Sequence, residues 1–240
     1  MALSMPVYGK KAYGRKTEAA GTKIVRGIEP MIGAVTHIQR VAVTTSTTAH
    51  ILTVLKPINK TTVASAAAAA QAVINITADP GNFTGIRTAD NGIAASDWCA
   101  YQCIDGTWVF DTVASVATLA ITMTTNVPTS GVAAGAPFWF YGIETDTNPC
   151  DATVHARHTL TASTTNVFGT YDADLGWHGS IQAANSTLFA ASLLHADMKT
   201  GKDQPLILVV DNGVAASTIE EVIAFYSDRA TSTTNFGYAT

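Results

Sequence analysis

His155 and His158, with Cys150 and Asp151 just upstream, are the nearest approach to a metal-ligand spacing in this 240-residue chain. Imidazole, thiolate and carboxylate are the common zinc donors, but the segment reads as a strand, where residues three apart point to opposite faces. One packed and one solvated histidine are expected, and no metal. The acidic pairs Glu144/Asp146 and Asp172/Asp174 lie in turn-like segments where alternate carboxylates suit a hard cation. Neither follows a calcium-loop pattern, and Asp is frequent in turns because it hydrogen-bonds its own backbone. A glycosidase pair needs two carboxylates at a set separation across a cleft, which spacing along the chain does not establish. The sequence holds no Gly-x-Ser-x-Gly elbow and no phosphate-cradling glycine loop. No catalytic residue and no cofactor is expected, and an enzyme is the lowest-ranked class. The aromatic runs at 137–142 and 176–180 offer stacking platforms for a sugar or a base, although aromatic strands in β proteins mostly fill cores.

The one concentration of chemistry is electrostatic. Residues 1–26 carry Lys10, Lys11, Arg15, Lys16, Lys23 and Arg26 against the single acid Glu18, a charge of +5, while the remainder carries eight basic and seventeen acidic residues, a charge of −9. With glycines at 9, 14, 21 and 27 and no apolar periodicity, residues 1–30 read as an extended docking arm that orders when a partner ties it down. Lys/Arg clusters often neutralise phosphate, but these six charges are dilute and the body is acidic, so nucleic acid is not the expected partner. Docking on an acidic protein surface accounts for the charge. On that reading Tyr8 and Tyr13 are the apolar anchors, and Lys10, Lys11, Arg15, Lys16, Lys23 and Arg26 supply complementarity.

Composition bears on what such a partner would be. Charged residues make up 13% of the chain, about half the ~25% usual in soluble domains, so Thr, Ser and Asn must furnish the polar surface. A charge-poor surface is best tolerated when neighbours cover it, which favours permanent assembly. No apolar run approaches the ~18 residues of a membrane span, and the Ala-rich stretch 64–72 is too weakly hydrophobic to serve. No signal-peptide pattern opens the chain. Three cysteines, Cys99, Cys103 and Cys150, read as reduced packing residues of a protein made in a cytosol.

The elements that must carry these residues are strands. Residues 37–45 and 49–55 are rich in Val, Ile and Thr, with Pro57 ending the second run. Residues 63–77 predict a short helix or turn followed by a strand, because Ala66 to Ala70 favour helix and Val73, Ile74 and Ile76 do not. The best hairpin joins 98–103 to 108–113 through Ile104-Asp105-Gly106-Thr107. Further strands are expected at 117–124, 137–143, 154–162, 187–194, 205–210 and 219–226, separated by Gly/Pro/Asn/Asp turns. Many short strands with little helical period predict an all-β fold, a β-sandwich or jelly roll. The expected organisation is an arm over 1–30, a body over 31–229 that is one sandwich or two small β subdomains, and a polar tail over 230–240.

The Ala/Thr/Gly-rich, charge-poor body, the untargeted basic arm and the late strand pair at 205–211 and 219–226 resemble the capsid decoration, or cement, proteins of tailed bacteriophages. The resemblance is one of style across most of the chain, with no diagnostic motif. It implies a non-enzymatic virion protein, made in the host cytoplasm, that joins the capsid exterior and clamps capsomers. Its partners would be the major capsid protein and copies of itself, a trimer being favoured. Deleting residues 1–26 would then abolish capsid binding and leave a folded body. A tail tube or baseplate component, a capsid shell subunit and a receptor- or glycan-binding module are the alternatives.

Overall fold

The computed structural model describes residues 7–47, 50–57, 59–79, 93–142, 154–169, 203–211 and 215–227. The expected strand at 187–194, the acidic pairs, Cys150, Asp151, the 176–180 run and the tail at 230–240 lie outside the described residues. What is described is all-β, with fifteen strands and no helix. Two units divide it: Met1–Leu55 with His155–Thr240, and the continuous segment Lys56–Val154. These divisions fall at Leu55 and Val154 rather than at residue 30.

The first unit is a sandwich of two sheets. Strands are numbered along the chain, and this unit holds β1 (Val7–Tyr13), β2 (Lys16–Thr17), β3 (Ile24–Ile28), β4 (Val35–Thr45), β5 (His50–Leu55), β12 (Val154–Leu160), β13 (Thr165–Gly169), β14 (Leu206–Asp211) and β15 (Ser217–Ser227). One sheet runs β1-β15-β4-β13, with the two-residue β2 also on β15, and the other runs β12-β5-β14-β3. Leaving β2 aside, the first strand neighbours the last, the second the seventh, the third the sixth and the fourth the fifth. The chain is thus one long nested hairpin rolled into a sandwich, which is the connectivity of a jelly roll.

Alternation explains which side chains meet inside. Leu206, Leu208 and Val210 of β14, Ile24 and Ile28 of β3 and Leu52 and Val54 of β5 share one buried core with Tyr13 of β1, Ile38, Val41 and Val43 of β4, and Ile219 and Val222 of β15. Strand β14 is buried along both faces from Leu206 to Val210, as a central strand must be, and its sequence is an unbroken apolar run. The 11-residue β15 pairs with β4 along its whole length, with bulges between Ile219 and Glu221 and between Ile223 and Ala224.

The second unit is inserted between β5 and β12. It comprises β6 (Asn59–Thr62), β7 (Val73–Asn75), β8 (Trp98–Gln102), β9 (Trp108–Ala117), β10 (Ala120–Met123) and β11 (Pro137–Gly142), in the order β6-β11-β8-β9-β10-β7. An antiparallel bridge between Val63 and Ile76, flanked by Thr77 N–H to Thr62 C=O and Ala64 N–H to Asn75 C=O, brings the two ends of this sheet together. The sheet thus curls toward a small barrel, pinned where its two outer strands meet at that bridge. Cys99, Tyr101, Val113, Ile121, Met123, Phe138 and Phe140 fill its interior. The rings of Phe138 and Phe140 stack at 4.7 Å and those of Tyr101 and Phe138 at 5.5 Å. Asp105-Gly106 turns the β8–β9 hairpin as the sequence predicts, with Gly106 at φ +85° and the Asp105 carboxylate accepting the Thr107 N–H.

One local expectation is decided and another changes. The Ala-rich stretch, expected as a short helix or turn before a strand, is a turn followed by β7, because its backbone bonds outward: Ala67 exchanges both hydrogen bonds with Val132, Ala70 N–H reaches Val127 C=O, and Val127 N–H reaches Gln71 C=O. Gly131 lies at φ +69°, and a β-carbon there would stand 2.9 Å from the Ala67 carbonyl, so glycine permits that approach. The strand expected over 117–124 is instead the end of β9, a turn at Thr118 (φ +58°) and β10.

Candidate docking edge

The basic N-terminal residues do not form a free tether over 7–28. Tyr8, Lys10, Lys11 and Tyr13 lie on β1, Arg15 in the turn after it, Lys16 on β2, Lys23 just before β3 and Arg26 on β3. In register, Lys10 faces Phe225, Tyr13 faces Val222 and Lys16 faces Ile219, all on β15, while Arg26 faces Leu208 on β14. The correction has a simple cause. A strand at a sheet edge needs only one apolar face and one partner, and Tyr13, Ile24 and Ile28 supply that face without any periodicity long enough to register in sequence.

β1 and β3 are edge strands of the two sheets, and the basic side chains tie those edges together. Lys16 Nζ donates to the Val25 carbonyl at 2.7 Å, and the Arg26 guanidinium donates to the Gly14 carbonyl at 2.6 Å. Lys11 pairs with Glu29, Arg15 with Glu220 at 3.5 Å and Lys16 with Glu18 at 3.7 Å. All of these pairs are at least one-third exposed, where an ion pair contributes about 0–1 kcal/mol. Lysine and arginine on edge strands also discourage unwanted strand addition. Residues 7–28 thus set six cations against the single acid Glu18 in the chain order of this edge, with Glu29 and Glu220 joining it in the fold.

Tyr13 is not an exposed anchor. Its side chain belongs to the sandwich core at 8% exposure, and its hydroxyl accepts the Glu29 N–H at 3.0 Å. Tyr226 donates to the Glu29 carbonyl at 2.9 Å, and the two hydroxyls lie 3.4 Å apart. Both backbone groups of Glu29 are thereby satisfied by phenols from β1 and β15. Glu29, Glu220 and Tyr226 were not legible as part of this cluster, because their membership depends on which strands become neighbours.

Burial first, and then the hydrogen bond to Tyr226, raise the Tyr13 phenol well above its ordinary value of 10.0, and burial raises Tyr226 as well. A raised folded-state value makes its stabilisation complete below the unfolded value, about 10, and progressively lost as pH climbs past it, since the unfolded chain then releases protons that the folded chain keeps. Urea melts from about pH 9 to 11 should show this fall, and Tyr13→Phe should flatten it while costing about 1–2 kcal/mol at neutral pH through the lost acceptor. An unchanged slope would assign the alkaline sensitivity elsewhere.

His155 and His158 lie on β12, and among the described residues no group of three metal-binding side chains comes together. Cys99 and Cys103 are buried, unbridged thiols in the barrel, and burial raises both. Trp139 alternates with Phe138 and Phe140 on β11 and is itself buried, with the Lys60 ammonium 5.0 Å from its ring.

The class these observations define is structural in the narrow sense: a jelly-roll sandwich carrying an inserted six-stranded barrel. No protein-family model matches the sequence, and no curated protein matches it. Solved structures that align with it include VP17, a capsid protein of bacteriophage P23-77, at 10% identity over 93% of this chain and 98% of that one, with a TM-score of 0.16. Another is the infectious bursal disease virus VP2 subviral particle, at 11% identity over 92% of this chain and 42% of that one, with a TM-score of 0.14. Superpositions at this level carry no argument about function.

Proposed function

We propose that the protein is a non-enzymatic virion structural protein, a capsid decoration or cement protein that binds the outer surface of a phage capsid and stabilises contacts between capsomers. The observation that carries this reading is the basic edge of β1–β3 on a jelly roll, in a chain of which only 13% is charged. Jelly rolls serve as capsid and lectin domains alike, so the fold is compatible with the reading and does not select it. The partner is the major capsid protein, met through an acidic surface; the protein acts on the capsid exterior after synthesis in the host cytoplasm, as a homo-oligomer with a trimer favoured. Many identical weak contacts on a lattice then add up to lasting attachment.

Relative to an arm, a folded edge changes how docking works. Its charges are already positioned, so little ordering entropy opposes binding, and they act chiefly on encounter rate and orientation. Arg15→Glu combined with Lys23→Glu should therefore lower the fraction bound in a shell pull-down at least about tenfold at low salt, and wild-type binding should itself weaken as salt rises. A double variant that folds and binds shells as the wild type does would remove the edge from the docking surface.

A second reading, a capsid shell subunit, is favoured by the nested connectivity itself, since jelly rolls build shells. Purified protein that closes into particles without any other component would decide for it.

A further inference from the structure

One region of the barrel is uncharged to an unusual degree. Residues 61–78 contain no Asp, Glu, Lys or Arg, and neither do residues 112–143. The structure brings parts of both runs together. The Ala64–Ala72 loop is bonded to the 123–132 segment through Met123 N–H to Ala72 C=O, Val127 N–H to Gln71 C=O and the Ala67–Val132 pair. The tip of the β8–β9 hairpin joins them, with Ile104 N–H donating to Gly131 C=O and the Ile104 side chain against Gly131.

This face carries a projection beside a recess. Ile104 is 64% exposed, an unusual position for an isoleucine at a hairpin tip. Next to it, sharing the Ala67 segment, is an open cavity of about 410 Å³ lined by Ser65, Ala66, Ala67, Gln71, Ala72 and Val73, together with Asn75. Val73 on its wall is 41% exposed. Two carboxylates border this cluster: Asp111, itself buried, accepts the Thr125 N–H and hydroxyl, and Asp105 is exposed at the hairpin tip and accepts the Thr107 N–H, a position suited to the polar rim of an interface.

We infer that this face is where copies of the chain meet, the Ile104 tip of one copy entering the Ala-lined recess of the next. Charge decides the occupant. Across 61–78, 104–107 and 123–132 the only charge is Asp105, so the face would strand the charges of an ordinary partner surface, whereas a second copy brings an equally charge-poor face with its own Ile104 tip and Ala-lined recess. The recess is lined by side chains and the contact is made by the Ile104 side chain, so association proceeds through side chains rather than by adding a strand. A contact of tip into recess is directional; repeated around an axis it closes a ring, and made reciprocally it closes a pair. The inference deepens the proposed function by naming the surface between copies.

The test uses the full chain free in solution, so that it stands apart from shell binding. Sedimentation velocity and native mass spectrometry should show the wild type as an oligomer at micromolar concentration. Ile104→Asp, which charges the tip, and Ala66→Trp, which fills the recess, should each reduce it to the single-chain mass of 25.1 kDa with an unchanged thermal melt. Mixing the two variants restores one intact tip and one intact recess, and should produce pairs. A monomeric wild type, or folded variants of both kinds that keep the wild-type mass, would overturn the interface whatever the pull-down on shells returns. Should either variant fail to melt cooperatively, Val73→Lys on the exposed wall replaces it, with the same two outcomes.

Discussion

A chain lacking residues 1–26 should not fold its sandwich unit. The truncation removes β1, β2 and three of the five residues of β3, and with them Tyr13 and Ile24 from the core. It also strips β15 and β14 of their neighbours on one side. Burial of a single Ile or aromatic side chain is worth about 1.5–3 kcal/mol, before any cavity term, and a domain has only about 5–15 kcal/mol in hand. The expected result is loss of the cooperative melt assigned to the sandwich, with the truncated protein aggregating through its newly exposed strand edges. A truncated chain with the full circular-dichroism spectrum and melting behaviour of the parent would refute the pairing of β1 with β15. The outcome also bears on function: a failed pull-down by this truncation would report unfolding rather than a lost contact, which is why the paired charge reversal on the intact edge is the proper probe.

The second large effect belongs to the barrel. Phe138 is fully buried and stacks on both Phe140 and Tyr101, so Phe138→Ala removes the centre of a three-ring column. Core Phe→Ala substitutions cost about 3–5 kcal/mol, depending on how far the site collapses. Because Lys56–Val154 is a compact unit with its own core, the loss should fall on one unfolding transition and spare the other. Hydrogen exchange resolved by peptide gives the measurement: protection should drop across β8, β9 and β11 and hold in β14. Equal loss in both units would show that they unfold as one.

The sequence made several of these strands plain. The Asp105-Gly106 hairpin, the apolar run of β14 and the Val/Ile/Thr patterns of β4 and β15 all carry local signals, and the strands lie within a few residues of where those signals put them. β1, β3 and β13 carry almost none. Each is short and lies at a sheet edge, where a single face and a single neighbour suffice, and β1 sets two adjacent lysines between a glycine and an alanine. The basic residues were recognisable as a cluster, but their role could not be read, since Lys11, Lys16 and Arg26 act through Glu29, Val25 and Gly14, contacts that exist only once the two edges lie side by side. Tyr13 shows the same limit: as a letter in a basic segment it suggests an anchor, and as the neighbour of Tyr226 it is core.

Nested pairing has a consequence for synthesis. Val7 pairs with Ser227, so the first strand must wait for 220 further residues to be made. At about 5–20 residues per second that is roughly 11–44 seconds on the ribosome. All barrel strands lie between Asn59 and Gly142 and need nothing made later. The barrel is therefore the first part of the chain that can be completed, and until the last strand emerges the nascent N-terminus is a basic, unpaired segment that the cell must keep from meeting its counterpart in another chain.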